Sequence, residues 1–370
     1  MLNSTMNLEE KIVAKASERG IPIFSTFELT PLCNLACEMC FIRMSAKEIQ
    51  EHNGIKPLNF WLHQAEELRE MGSLLLLLTG GEPFLYPEFN QLYIELKKLG
   101  FIITINSNGT CITNEQIEIL AKYRPRCINI TLYGTSDVTY NKNCHNSHGY
   151  TQCIENIKKL QAHNLDIKLN YSATKQNVNE FEGIIKISEE LNIPLETNSY
   201  MFPFTRSVRK KDINDARLSA ECGGKINALT KIPEKKGKYK IYRSTLLNKI
   251  EKGPISMHTI SLSCHAGNSS LWINWQGIMT PCVMMEEPSI NLEKQSIKEG
   301  WEELKQQCKA LTEFTDCIGC KLRPVCQVCY ASAYLEKKYH GDLSYLCHFA
   351  QAEYETLKKI EDNSNINICD

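Results

Sequence analysis

The chain has 370 residues, of which 42% are apolar and 23% charged, and its formal net charge is −1. This length suggests two domains or one large barrel with an appendage. The near-neutral charge excludes a global basic field, so nucleic acid is not expected as the main partner.

No apolar run reaches bilayer-spanning length; the longest, Leu74–Leu78, reads as a buried strand. The N-terminus lacks the charged-then-apolar layout of a signal peptide, so no membrane partner and a cytoplasmic location are expected. Seventeen cysteines in a chain of that kind are not a disulfide framework. Some are small core residues, and the clustered ones are candidate metal ligands.

In chain order, Leu8–Arg19 reads as a short lead-in helix. Phe24–Leu29 alternates as a strand and runs into Cys33-Asn-Leu-Ala-Cys37-Glu-Met-Cys40. Five further strand patterns follow, each preceded by a helical one: Leu74–Thr79, Phe101–Asn106, Cys127–Leu132, Ile167–Ala173 and Leu195–Tyr200. The intervening helices are expected at Phe60–Met71, Glu88–Leu99, Asn114–Tyr123, Tyr150–His163 and Val178–Leu191. Six β-then-α units predict an α/β fold built as a partial (β/α)6 barrel, too few units to close a standard eight-fold barrel. A doubly wound open sheet is the rival.

Residues 201–254 are mixed. Arg206, Arg209, Lys210 and Lys211 form one basic cluster, and Lys235, Lys236, Lys238 and Lys240 another. A solvated helix-and-loop linker is the expectation, with a surface for an acidic partner peptide as the alternative. From Met257 eight cysteines fall between Cys264 and Cys347, which suggests a second, small cysteine-rich domain stapled by metal. The expected divisions are a lead-in over 1–21, a barrel over 22–230, a linker over 231–256, a cysteine-rich domain over 257–350, and a helix fading into a polar tail over 351–370. Cys369 in that tail is not expected to be a ligand.

Three thiolates at spacing C-x3-C-x2-C suit three corners of a [4Fe–4S] cube and leave one iron open. Zinc knuckles usually bring C-x2-C pairs, so the longer gap counts against zinc. One strand later comes Gly80-Gly81-Glu82-Pro83. Two glycines let backbone approach a ligand closely, and Glu82 offers an acceptor for an ammonium group.

With Cys33, Cys37 and Cys40 followed by Gly80-Gly81-Glu82-Pro83, the sequence resembles the radical S-adenosylmethionine (SAM) superfamily over roughly residues 22–200. The resemblance implies that the three thiolates hold a [4Fe–4S] cluster whose open iron is chelated by SAM, with the amino group at the Gly80–Pro83 turn. One electron then cleaves SAM to methionine and a 5′-deoxyadenosyl radical, which abstracts a substrate hydrogen. Thr131 at the end of the fourth strand, Ser107 and Asn108 at the end of the third, and Asn170 in the fifth are implied SAM contacts. Two departures stand out. Met39 takes the place of an aromatic, with Phe41 just after, and Asn143-Cys144-His145-Asn146 carries no Arg or Lys where many members contact the SAM carboxylate.

The later cysteines, Cys264-x12-Gly277-x4-Cys282 and Cys317-x2-Cys320-x5-Cys326-x2-Cys329, then Cys347, are similar to the SPASM domain, which carries auxiliary [4Fe–4S] clusters in peptide-modifying members. Carried over by position, Cys317, Cys320, Cys326 and Cys347 hold an outer cluster. Cys264, Cys282 and Cys329 hold an inner one, with an open iron that Cys308 is the spare to close. The rival is a four-thiolate zinc site at Cys317, Cys320, Cys326 and Cys329.

The resemblance implies modification of a ribosomally made peptide, with oxidative cross-linking through a thioether as the leading chemistry. Carbon–carbon cross-linking and dehydrogenation are competitors. Oxidation of a porphyrin- or quinone-type precursor and a non-enzymatic metal scaffold are the alternatives. Anaerobic sulfatase maturases place Asp directly after the second SPASM cysteine, whereas Cys282 is followed by Val283. A flavodoxin or ferredoxin is the implied electron donor. Only about thirty residues precede Cys33, too few for a winged-helix leader-binding domain, so a separate leader-binding protein is a further expected partner.

Overall fold

The computed structural model describes residues 7–203, 216–235 and 237–360. The expected basic cluster Arg206–Lys211, Lys236 and Cys369 lie outside the described residues. After helix α1 (Leu8–Arg19) come β1 (Phe24–Glu28), α2 (Ala46–Glu51), α3 (Leu58–Glu70), β2 (Leu75–Thr79), α4 (Phe89–Lys98), β3 (Ile102–Ser107), α5 (Asn114–Lys122) and β4 (Cys127–Thr131). Then follow α6 (Asp137–Cys144), α7 (Gly149–Ala162), β5 (Ile167–Ser172), α8 (Phe181–Glu190) and β6 (Leu195–Asn198). The expected β/α units are all present. The short helices α2 and α6 are additions, and α6 bears on the site.

β1 to β6 are parallel and lie side by side in chain order. Their two faces differ. Phe27, Leu78, Ile105, Ile130 and Leu169 are fully buried against the surrounding helices. The alternate positions form a polar inner face. Asn106 pairs in register with Asn129, and Asn129 Nδ2 donates to Asn106 Oδ1 at 2.8 Å. Thr131 pairs with Asn170, and Asn170 with Glu196. A doubly wound sheet would bury both faces under helices. One polar, half-exposed face identifies a splayed barrel whose lumen is open at one side.

The second half of the chain departs further from expectation. The stretch read as a linker contains α9 (Ala220–Lys235) and α10 (Tyr239–Lys252). Tyr239, Leu246 and Ile250 of α10 pack with Ala228 of α9 and Ala350 and Leu357 of α13 (Ser344–Lys359) in a separate apolar cluster. A Cβ at Gly224 would stand 2.3 Å from Phe349 O, so glycine there lets α9 and α13 cross in backbone contact.

Between these helices lie β7 (Ser270–Ile273), β8 (Ile278–Thr280), β9 (Ile290–Asn291), α11 (Ile297–Lys309) and α12 (Tyr330–His340). β7 pairs parallel to β1, with Thr26 opposite Trp272, and β8 and β9 continue antiparallel. One nine-stranded sheet therefore runs from the barrel into the cysteine-rich region. Gly277, at φ +79°, makes the β7–β8 turn, and its N–H donates to Asn274 O at 2.8 Å. α11 is fastened to the barrel by Trp301 Nε1, which donates to Gly20 O at 2.8 Å, and by Ile297 N, which donates to a Glu67 carboxylate at 2.8 Å. A buried ion pair between Arg217 and Glu336 joins the segment before α9 to α12. Among the described residues no helix is long and apolar enough to cross a membrane.

Candidate functional site

The loop after β1 and the turn after β2 are built against each other. Gly81 N donates to Thr30 O at 2.7 Å and Glu82 N to Leu32 O at 2.9 Å. A Cβ on Gly80 would lie 2.5 Å from Thr30 O, and one on Gly81 2.5 Å from Leu32 O. The two glycines are thus required by the approach of two backbones, a reason the sequence does not show.

Cys33, Cys37 and Cys40 line a cavity of about 390 Å³, as do Gly80, Gly81, Ser107, Asn108 and Thr131. Met39 and Phe41 line it as well, so Met39 does face the site where an aromatic is usual. Thiol Sγ atoms accept from backbone donors within the loop: Leu35 N to Cys33 at 3.4 Å and Arg43 N to Cys40 at 3.3 Å. Asn108 Nδ2 donates to Asn34 Oδ1 at 2.9 Å and approaches Cys33 Sγ at 3.5 Å, tying the third strand end to the loop.

Glu82 departs from its expected role. It is fully buried and does not line the cavity. Its carboxylate accepts from Ser107 Oγ at 3.0 and 3.1 Å, Asn108 N at 2.8 Å and Phe84 N at 3.2 Å. Burial pushes its pKa up to about 7 against these hydrogen bonds, which favour the ionised form. Glu82 braces the turn and leaves the cavity edge to the backbone of Gly80 and Gly81. Pro83 is likewise buried, at the start of a short 3-10 turn. Asn170 shares the inner face, in register with Thr131, but does not line the cavity, whereas Ser172, two residues on, does.

Glu28, Trp272, Ser172 and Tyr133 are among the lining residues that the sequence did not single out. Glu28 accepts from Trp272 Nε1 at 3.0 Å, and both line the cavity, so β7 contributes to the same site as β1. Ser172 follows from the period of two along β5. Tyr133 ends the fourth strand and lines the cavity too. Alongside it, α6 clamps the cysteine loop: Ala36 N donates to Cys144 O at 2.9 Å and Glu38 N to Asn143 O at 3.1 Å. Cys37 is held below the usual thiol range by hydrogen bonds from Cys144 first and Tyr133 next, against burial. Burial and then the charge of Glu82 push Cys33 the other way, to about 12.

The later cysteines fall into two groups. The thiol of Cys317 lies in the field of Cys320 and Cys347, and that of Cys326 in the field of Cys317 and Cys347. Burial raises both, and Cys326 is pushed up to about 11. Cys329 stands apart from these four. It packs with Cys282 against Met285 and Tyr330. Cys264 and Cys308 line a second cavity of about 400 Å³. Among the described residues no three His, Cys, Asp or Glu side chains stand close enough to share a single metal ion. Val283, directly after Cys282, lines the first cavity, so the position where sulfatase maturases carry Asp faces the site as an apolar side chain.

Residues 27–187 match the family model of the radical SAM superfamily, spanning the cysteine loop, the glycine turn and strands β2 to β5. By that match, residues 27–187 are a radical SAM domain. Subtilosin biosynthesis protein AlbA of Bacillus subtilis (strain 168) is 24% identical over 277 residues, which is 73% of this chain and 56% of AlbA. The radical SAM chain thus spans little more than half of that relative. AdoMet-dependent heme synthase of Methanosarcina barkeri is 21% identical over 334 residues, 85% of this chain and 92% of that protein. The crystal structure of Streptococcus suis SuiB bound to precursor peptide SuiA has a TM-score of 0.63 at 19% identity, over 91% of this chain and 80% of SuiB, a likeness of fold.

The family brings a [4Fe–4S] cluster and SAM as cofactors, and the first cavity fits them. Three soft thiol donors line one wall, glycine backbone lines another, and hydroxyl and amide side chains stand opposite. Beside the loop, Arg43 Nε is buried without a hydrogen-bond partner. A thiol held at about 12, as at Cys33, must release its proton when iron binds.

Proposed function

We propose that this chain is a radical SAM enzyme that oxidatively cross-links a ribosomally made peptide. When bound, the reduced cluster and SAM supply a 5′-deoxyadenosyl radical that takes a hydrogen atom from the substrate. Cys33, Cys37 and Cys40 hold the cluster. The backbone of Gly80 and Gly81 receives the SAM amino group, and Ser107, Asn108, Thr131 and Ser172 orient its polar parts. Glu82 acts through the turn it braces. The polar lumen beyond the cavity accommodates an extended peptide through the open side of the splayed barrel.

The C-terminal region is read as a SPASM-like domain with two auxiliary clusters, the outer one on Cys317, Cys320, Cys326 and Cys347. The observation that carries the reading is the sheet itself. β7 joins the cysteine-rich region to β1, and Trp272 and Val283 from that region line the same cavity as the cysteine loop. An electron leaving a substrate radical would therefore have the Cys264 and Cys282 segments, which flank β7 and β8 of the same sheet, on its way out. A cross-link would require the substrate to give one hydrogen atom to the 5′-deoxyadenosyl radical, one proton to solvent and one electron to an oxidised auxiliary cluster. A flavodoxin or ferredoxin supplies the electron that starts the cycle.

Support for a peptide substrate comes from SuiB, solved with precursor peptide SuiA, and from AlbA, a bacteriocin biosynthesis protein. The test is mass spectrometry of a cysteine-bearing peptide encoded beside this gene after anaerobic incubation with reductant and SAM. A thioether appears as the loss of two hydrogens with one fewer alkylatable thiol. Loss of two hydrogens with every thiol intact rejects the thioether and retains cross-linking by carbon or dehydrogenation. A second reading, oxidation of a porphyrin-type precursor, draws on the heme synthase, whose length agrees with this chain. Stimulation of SAM cleavage by a porphyrin-type precursor and not by peptide would favour it.

A further inference from the structure

Cys308 is the last member of the buried stripe Ile297, Trp301, Leu304 and Cys308 on α11. All four belong to the same buried core. Cys308 is 9% exposed and opens onto the second cavity, opposite the turn that carries Cys264. Its thiol makes no hydrogen bond among the described residues.

The loop over it is built around that sulfur. Gly267, at φ +65°, would carry a Cβ 2.4 Å from Cys308 Sγ and 3.1 Å from Cys308 Cβ. The same Cβ would stand 3.4 Å from Pro281 Cβ, and Pro281 directly precedes Cys282. Segments carrying Cys264, Cys282 and Cys308 thus converge at Gly267. Leu262, which lines this cavity, also packs in the cluster that holds Cys282 and Cys329. Arg19, Lys305 and Lys309 line the cavity against one carboxylate, Glu18, a balance that suits a net-negative cluster.

We propose that Cys308 is the fourth protein ligand of the inner auxiliary cluster, with Cys264, Cys282 and Cys329. The inference rests on the reading of the C-terminal region as SPASM-like. It replaces the open iron expected from the sequence with a closed coordination shell. A substrate thiolate then has no vacant iron there, and the inner cluster serves only to take up the electron that the substrate radical gives as its new bond forms and its proton leaves to solvent.

The test uses the full chain carrying Cys33→Ala, Cys37→Ala and Cys40→Ala, reconstituted anaerobically under a thiol reductant. About eight irons per chain are expected from two auxiliary clusters. The dithionite-reduced electron paramagnetic resonance spectrum should not change when a small thiolate is added. Adding Cys308→Ala, or Cys308→Val to keep the packing volume, should drop the iron by about one to four per chain. Any inner cluster that survives should acquire a spectrum that shifts with the added thiolate. Eight irons and an unchanged, thiolate-insensitive spectrum in a folded Cys308→Val variant would overturn the assignment alone. A parent variant that holds no iron overturns the SPASM-like reading and this inference with it.

Discussion

Glu82 has three donors converging on one carboxylate at a position with no solvent access. Its place in the glycine turn was legible in the sequence. Its role was not, because the donors come from Ser107 and Asn108, one strand later, and burial depends on that pairing. The cysteine triplet, by contrast, was readable because its spacing is itself the chemistry. Asn170 marks the limit between the two: alternation along β5 gives the face that Asn170 and Ser172 share, while only the folded cavity shows that Ser172 lines it. The glycine turn yields a direct prediction. Gly81→Ala puts a methyl 2.5 Å from Leu32 O and 2.7 Å from Pro31 O. Backbone cannot yield cheaply there, so the variant should lose about four of the chain's irons, those of the SAM-binding cluster, and keep the auxiliary ones. Retention of all iron together with normal SAM binding by equilibrium dialysis would contradict the account of the turn.

Among the elements, the β/α units were visible from their periodicity, since each helix and strand is long enough to show a pattern. α6 was not, because its eight residues carry no apolar stripe, yet it clamps the cysteine loop and places Cys144 beside Cys37. β7 to β9, at four, three and two residues, are too short to alternate visibly. α9 and α10 show how a stretch that looks like a linker becomes structure by packing against α13. Glu353 of α13 lies in that packing at 2% exposure. Burial pushes its pKa from the ordinary 4.5 up to about 7, against Asn227 and Lys231. The folded state therefore holds the proton more tightly than the unfolded chain. The stability this contributes is complete below pH 4.5 and is lost as the pH rises through about 7. Glu353→Gln keeps the neutral shape and should be more stable than the wild type at pH 8, by about 1–3 kcal/mol relative to the difference at pH 5. Urea denaturation at the two pH values measures this, and an equal effect at both would refute it.

At the scale of the whole molecule, the cysteine-rich region completes the barrel's sheet: β7 covers the edge of β1, and α11 caps the end of α1. The sequence showed two cysteine fields and no sign that one sheet joins them, because strand pairing between residues 26 and 272 leaves no local trace. A chain truncated after residue 256 would expose β1 as an unpaired edge and uncover the apolar face that Trp301 and Leu304 bury. It should aggregate or fold poorly, as sedimentation would reveal; a monodisperse, cooperatively unfolding fragment would show that the barrel is independent.

On the proposed function, the cysteine loop and the glycine turn hold a cluster and SAM for reductive cleavage of SAM. Anaerobic incubation of the reconstituted full chain with dithionite and SAM, followed by chromatography, tests it most directly. 5′-Deoxyadenosine and methionine should form with the wild type and be absent with the Cys33→Ala, Cys37→Ala, Cys40→Ala variant, which should keep its auxiliary iron. No 5′-deoxyadenosine from a wild-type chain holding about twelve irons, or equal amounts from the variant, would contradict the account.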